Sequence, residues 1–200
     1  MNKSIFPPPN TQRTDPEFRF KNKNGKWLTR RASALCKGNC TQDLLVSIGL
    51  EFGVKELAEM RDSTALYSKI VGVILKKNPN VQVTNRMITS NANHMAMISA
   101  VLAGSEKTKH LEAFWVDIRR DPPGILEKTL KEIKRPVMTL GYPINRHGHW
   151  VTLYYPFYGN DPWGKFPYRT KAEKENTQVD FGSEFFKKHG FRSLIGIREK

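Results

Sequence analysis

Residues 40–53 read CTQDLLVSIGLEFG, and this stretch decides the fold. Leu44, Leu45, Ile48 and Phe52 recur at helical spacing, and Gly53 supplies a C-terminal stop. Cys40 stands at the head of the run, just behind Gly38 and Asn39. The spacing therefore predicts a helix that opens on a cysteine. Such a position is chemically loaded, because a helix N-terminus favours the thiolate, and the thiolate is the nucleophilic form.

Downstream the pattern stays helical. Val54 to Met60 and Ala65 to Lys76 read as further helices, the latter with Leu66, Ile70, Val73 and Ile74 on one side. Asn78-Pro79-Asn80 is a turn, Val81 to Thr84 a short strand candidate, and Asn93 to Ala103 a helix closed by Gly104. From Leu111 the texture changes. Leu111 to Ile118 reads as a strand, and Asp121-Pro122-Pro123-Gly124 breaks the chain. Ile125 to Lys134 reads as a helix, and Pro136 to Tyr142 and His149 to Tyr155 as strands. A short helix over 183–189 and a strand over 192–198 follow. Helices first and sheet second predict an α+β domain: an N-terminal helical half packed on a C-terminal antiparallel sheet, with the active-site cleft between them. Upstream, residues 1–30 are rich in Pro, Asn, Lys and Arg and read as an extended basic arm. The domain proper spans 31–200.

The chain of 200 residues carries 33 Lys and Arg against 19 Asp and Glu, a net charge of +14. A field of that sign favours anionic partners such as nucleic acid, an acidic protein or a cell-wall polymer, although no nucleic-acid-reading motif accompanies it. No stretch reaches the roughly 20 apolar residues of a membrane span. The first ten residues lack the apolar core of a secretory signal, so the expected location is the cytoplasm, or outside by a signal-independent route. Two cysteines, Cys36 and Cys40, make no disulfide framework and lack the neighbours of a zinc site.

The chemistry-bearing residues are divided between the two halves. Cys40 opens a helix, His149 opens a strand, and Asp161 follows that strand. A thiol next to an imidazole forms a thiolate–imidazolium pair, and a third group fixes the ring's tautomer and orientation. Cys36 is the rival nucleophile, standing outside the periodic run, and His147 is the fallback base. His94, His110 and His189 read as surface residues. No metal or organic cofactor is implied.

The order of these segments resembles papain-like cysteine peptidases, in the branch of the bacteriocin-processing (double-glycine-leader) peptidases. The 40–53 segment resembles the nucleophile helix, Arg135-Pro136-Val137 the strand before the active-site turn, and Gly148-His149-Trp150-Val151 the histidine strand. Asn160-Asp161-Pro162-Trp163-Gly164 resembles the family's Asp-Pro-Trp-Gly turn. The resemblance runs over about residues 38–198 and implies a peptidase or amide hydrolase with a Cys40–His149–Asp161 triad. The family's oxyanion-hole glutamine has no counterpart, since Ala34 and Leu35 occupy that region. Asn39 and the Cys40 backbone N–H are the donor candidates. The same scaffold also suits a toxin or effector acting as deamidase, transferase or peptidoglycan amidase. A reading of another class is an inert scaffold that binds nucleic acid or another anionic partner.

Overall fold

The computed structural model describes residues 17–21, 27–31, 36–60, 63–141, 148–160, 177–182, 186 and 190–200. Asp161, His147, Trp163 and His189 lie outside them. Helix α1 is Cys36–Phe52, α2 Lys55–Ala58, α3 Ser63–Lys77, α4 Asn85–Ile88, α5 Asn91–Ala103 and α6 Pro122–Ile133. Strands β1 (Glu17–Lys21) and β2 (Trp27–Arg31) form an antiparallel ribbon. The main sheet holds β3 (Leu111–Asp117), β4 (Val137–Gly141), β5 (His149–Tyr154), β6 (Tyr158–Asn160), β7 (Thr177–Gln178) and β8 (Ser193–Glu199), in the order β3-β8-β4-β5-β6-β7. Every pairing is antiparallel. The domain is α+β.

The sheet has a core on each face. On one face Leu44, Leu45 and Ile48 of α1, Leu66 and Ile70 of α3, and Met97 and Ile98 of α5 pack with Met138, Trp150, Ile195 and Ile197. On the other, Leu126 and Leu130 of α6 pack with Val137, Val151, Leu153 and Leu194. A run of rings, Phe181–Phe186–Phe191, extends this second core with centroid spacings of 5.1 Å each. Alternation along the strands divides the faces: Met138 pairs with Thr152 on the α1 side, and Thr139 pairs with Val151 on the α6 side.

Several sequence expectations change in detail. The extended arm contains the β1–β2 ribbon, and β1 rests against α3. Phe18 and Phe20 alternate, and Asn24-Gly25 is a hairpin-turn dipeptide, so the signal was present but short. Val81 to Thr84 is not a strand. Val83 is buried, and the Thr84 hydroxyl accepts from the Met87 N–H at 3.3 Å, capping the start of α4. Asp121-Pro122-Pro123-Gly124 is not a break before α6 but its N-terminus. Asp121 Oδ1 accepts from the Gly124 N–H at 3.1 Å, and both prolines occupy the first turn, where their missing N–H groups cost nothing.

Two glycines set how closely the helices approach. A Cβ on Gly49 would lie 2.2 Å from the Ala58 nitrogen, so α2 folds back directly on α1. A Cβ on Gly38 would lie 2.0 Å from the Tyr67 hydroxyl, so α3 seats a ring against the first turn of α1. Past Phe52, Gly53 takes φ 63 and ends α1, as its position in the sequence predicts. At that end of α1, Arg135 donates to Glu51 at 2.9 Å and to Glu199 at 2.8 Å, tying α1 to β8. Among the described residues no helix is long and apolar enough to cross a membrane.

Candidate active site

The first turn of α1 begins at Cys36, one turn earlier than the apolar period predicts. Lys37 and Gly38 explain the extension. Neither contributes to a hydrophobic stripe, yet Lys37 is 1% exposed and Gly38 fits against Tyr67. The consequence is a correction. Cys40 does not open the helix, but stands in its second turn, 0% exposed. With Cys36 as the first helical residue, the N–H groups without an intrahelical carbonyl end at Gly38. The Cys40 N–H is therefore not the oxyanion donor that the sequence suggests. Asn39 falls within this first turn.

His149 is the first residue of β5, 2% exposed and paired with Gly141 of β4. Helix α1 crosses β5. Trp150, Thr152 and Tyr154 form the strand row turned toward α1, shown by their contacts with Lys37 and Asp43. Alternation places His149 in the other row, with Val151 and Leu153. Cys40 and His149 thus belong to one helix–strand pair, with the histidine at the strand's end.

Around Cys40 lies a buried polar layer. Asp43, 2% exposed, accepts from the Thr152 hydroxyl at 2.9 Å. Burial pushes the Tyr154 hydroxyl well above its ordinary value, and the neighbouring Asp43 and Cys40 charges add to the effect. The Thr41 hydroxyl donates to the Lys37 carbonyl at 2.8 Å and lies 2.9 Å from His94 Nδ1. Lys37 Nζ donates to the Thr89 carbonyl at 2.9 Å and to Asn91 Oδ1, and sits 4.5 Å from the Trp150 ring centroid.

His94 overturns its sequence reading as a surface residue: it is 0% exposed, within α5. Burial first, and the Lys37 charge second, hold its imidazole well below the usual 6.5, so the ring is neutral at neutral pH. Its Nε2 makes no well-formed hydrogen bond, and the Ile88 backbone offsets only part of the shift. Helix α5 carries apolar residues all around, and a histidine inside such a run carries the same burial signal as its neighbours. His110, by contrast, is exposed as expected, lying 3.2 Å from Glu199. Beside Asn91 an open groove of about 520 Å³ runs between Met95, Ala96 and Ser99 of α5 and the half-exposed Trp115 of β3.

No protein-family model matches the chain, and no curated protein matches it.

Proposed function

We propose that the protein is a papain-like thiol hydrolase acting on a peptide or amide bond. The observation that carries this reading is the packing of α1, which bears Cys40, across β5, the strand that His149 opens. Cys40 Sγ attacks the carbonyl carbon and His149 takes the thiol proton. The C–N bond then breaks, with that proton passed to the leaving amine, and water releases the acyl group from sulfur. Alternation puts His149 in the row turned away from α1, so in this reading Cys40 and His149 meet past the end of β5. Asp161 is assigned to hold the His149 ring, and the N–H groups of the first α1 turn, together with Asn39, to receive the oxyanion. The net charge of +14 directs the enzyme to an anionic peptide, protein or cell-wall substrate.

A second reading keeps the chemistry and moves the nucleophile to Cys36. The start of α1 at Cys36 favours it, because the helix N-terminus lies there.

Iodoacetamide labelling at neutral pH, read by mass spectrometry at each cysteine, tests both. Fast labelling confined to Cys40, abolished by His149→Ala, supports the first reading. Fast labelling confined to Cys36 assigns the second. Equal, slow labelling of both cysteines overturns the enzyme. Retention on nucleic acid that falls steeply with salt and is unchanged in Cys40→Ala would then assign a binding protein.

A further inference from the structure

Helix α5 has no Asp, Glu, Lys or Arg among its 13 residues. A helix without a charged face is ordinarily covered on every side. Here the outward face is bare: Ala92, Ser99, Ala100 and Ala103 are exposed. Along one flank of that face an open groove of about 260 Å³ runs between α5 and α3. Met97, Ala100 and Val101 of α5 form one wall. Gly72 and Val73 of α3 form the other, and nothing lies within 4 Å of a Cβ on Gly72. Lys69 and Lys76 stand on the α3 rim. Seven residues separate them, so they lie on one side of α3, two turns or about 10 Å apart.

The charge on this rim is of one sign. Neither α3 nor α5 contains an acidic residue. Elsewhere on the surface, cations meet carboxylates: Lys131 with Glu127, Arg198 with Glu112, Arg119 with Asp117. Among the described residues neither Lys69 nor Lys76 has a carboxylate partner. A groove between two packed helices receives a third helix, whose side-chain ridge fills it. Apolar walls require an apolar stripe on that helix. Two ammonium groups two turns apart on one rim are matched by two carboxylates at the same spacing. A membrane surface would require large apolar side chains projecting from the face, and Gly72, Ser99 and Ala100 supply none. The half-exposed Trp115 lies on the other flank of α5.

We infer that the α3–α5 groove is a docking site for an acidic amphipathic helix of a partner protein, its carboxylates on Lys69 and Lys76 and its apolar stripe over Gly72 and Ala100. The site uses no residue of the Cys40–His149 reading and is tested apart from it. A displayed library of helical peptides of about 16 residues, long enough to span both lysines, is selected on the full chain. The apolar stripe is varied among Ala, Val, Leu, Ile and Met, and each flank among Glu, Gln and Lys. Selected peptides are expected to carry Glu pairs seven residues apart on one flank. By fluorescence anisotropy a selected peptide is expected to bind Lys69→Glu/Lys76→Glu at least tenfold more weakly. The same reversal at Lys55 and Lys128, exposed lysines of α2 and α6, removes equal charge and is expected to leave binding within twofold. Gly72→Leu fills the groove and is expected to weaken binding while the protein still unfolds cooperatively. Equal losses from the two lysine pairs reduce the effect to the field of the whole chain and overturn the site. Selection that enriches no peptide, or enriches Lys where Glu is expected, also overturns it. If no peptide is enriched but phosphatidylserine vesicles sediment the parent and not Lys69→Glu/Lys76→Glu, the face is a membrane contact and the partner helix is excluded.

Discussion

Asp43 carries a buried carboxylate on α1, and the Thr152 hydroxyl donates to it at 2.9 Å. A hydrogen bond to a buried charge is worth more than one between neutral groups, and an acceptor left unmatched costs its full desolvation. Thr152→Val, which keeps the shape and removes the donor, is expected to lower unfolding stability by about 2 kcal/mol in urea titration. Val151→Thr, one residue away on the apolar face, places a hydroxyl with no assigned partner there and loses stability for the opposite reason. The residue scale is also where the sequence is hardest to read. Cys40 and His149 stand out because their neighbours have a period. Lys37, Asp43 and His94 do not, because polar residues in a buried layer look like solvent-facing ones until their partners, distant in sequence, are known.

Among the elements, α1 governs the fold, and its glycines show how. Gly49 and Gly72 are both helical, but their surroundings are opposite: the Ala58 backbone crowds Gly49, and nothing lies within 4 Å of a Cβ on Gly72. Gly72→Ala is expected to stabilise α3 by about 1 kcal/mol through helix propensity alone. Gly49→Ala is expected to destabilise by about 2 kcal/mol or more, since α2 must move to admit the methyl group. Thermal unfolding of the pair checks both signs in one experiment. Most elements were legible from their apolar residues: α3 buries one face, whereas α5, β4, β5 and β8 are near-continuous apolar runs with a core on both sides of the strands. The exceptions were set by other forces. A charged side chain and a ring contact lengthen α1, a capping aspartate with two prolines starts α6 early, and the β1–β2 ribbon is too short to give a strong period.

For the molecule as a whole, the buried neutral ring of His94 links stability to pH. Its pKa is lowered in the folded state, so below the unfolded value of about 6.5 the unfolded chain binds a proton that the fold refuses. Stability is therefore full above that pH and is lost as pH falls through it, by up to about 1.4 kcal/mol per unit, until the folded pKa is reached. Urea unfolding at a series of pH values shows the decline, and His94→Gln flattens it. The order of the sheet carries a different consequence. Strand β8 lies between β3 and β4, so β3 and β4 have no direct hydrogen bonds to each other and are joined only through β8. During synthesis β3 and β4 emerge well before the strand that joins them. Until β8 arrives, the nascent polypeptide presents two unpaired strand edges and a helical layer missing Ile195 and Ile197, a state that invites association with other chains. Productive folding thus waits on the last strand of the sheet to be made, and ribosome-bound chains stalled before residue 193 are the ones expected to recruit chaperones.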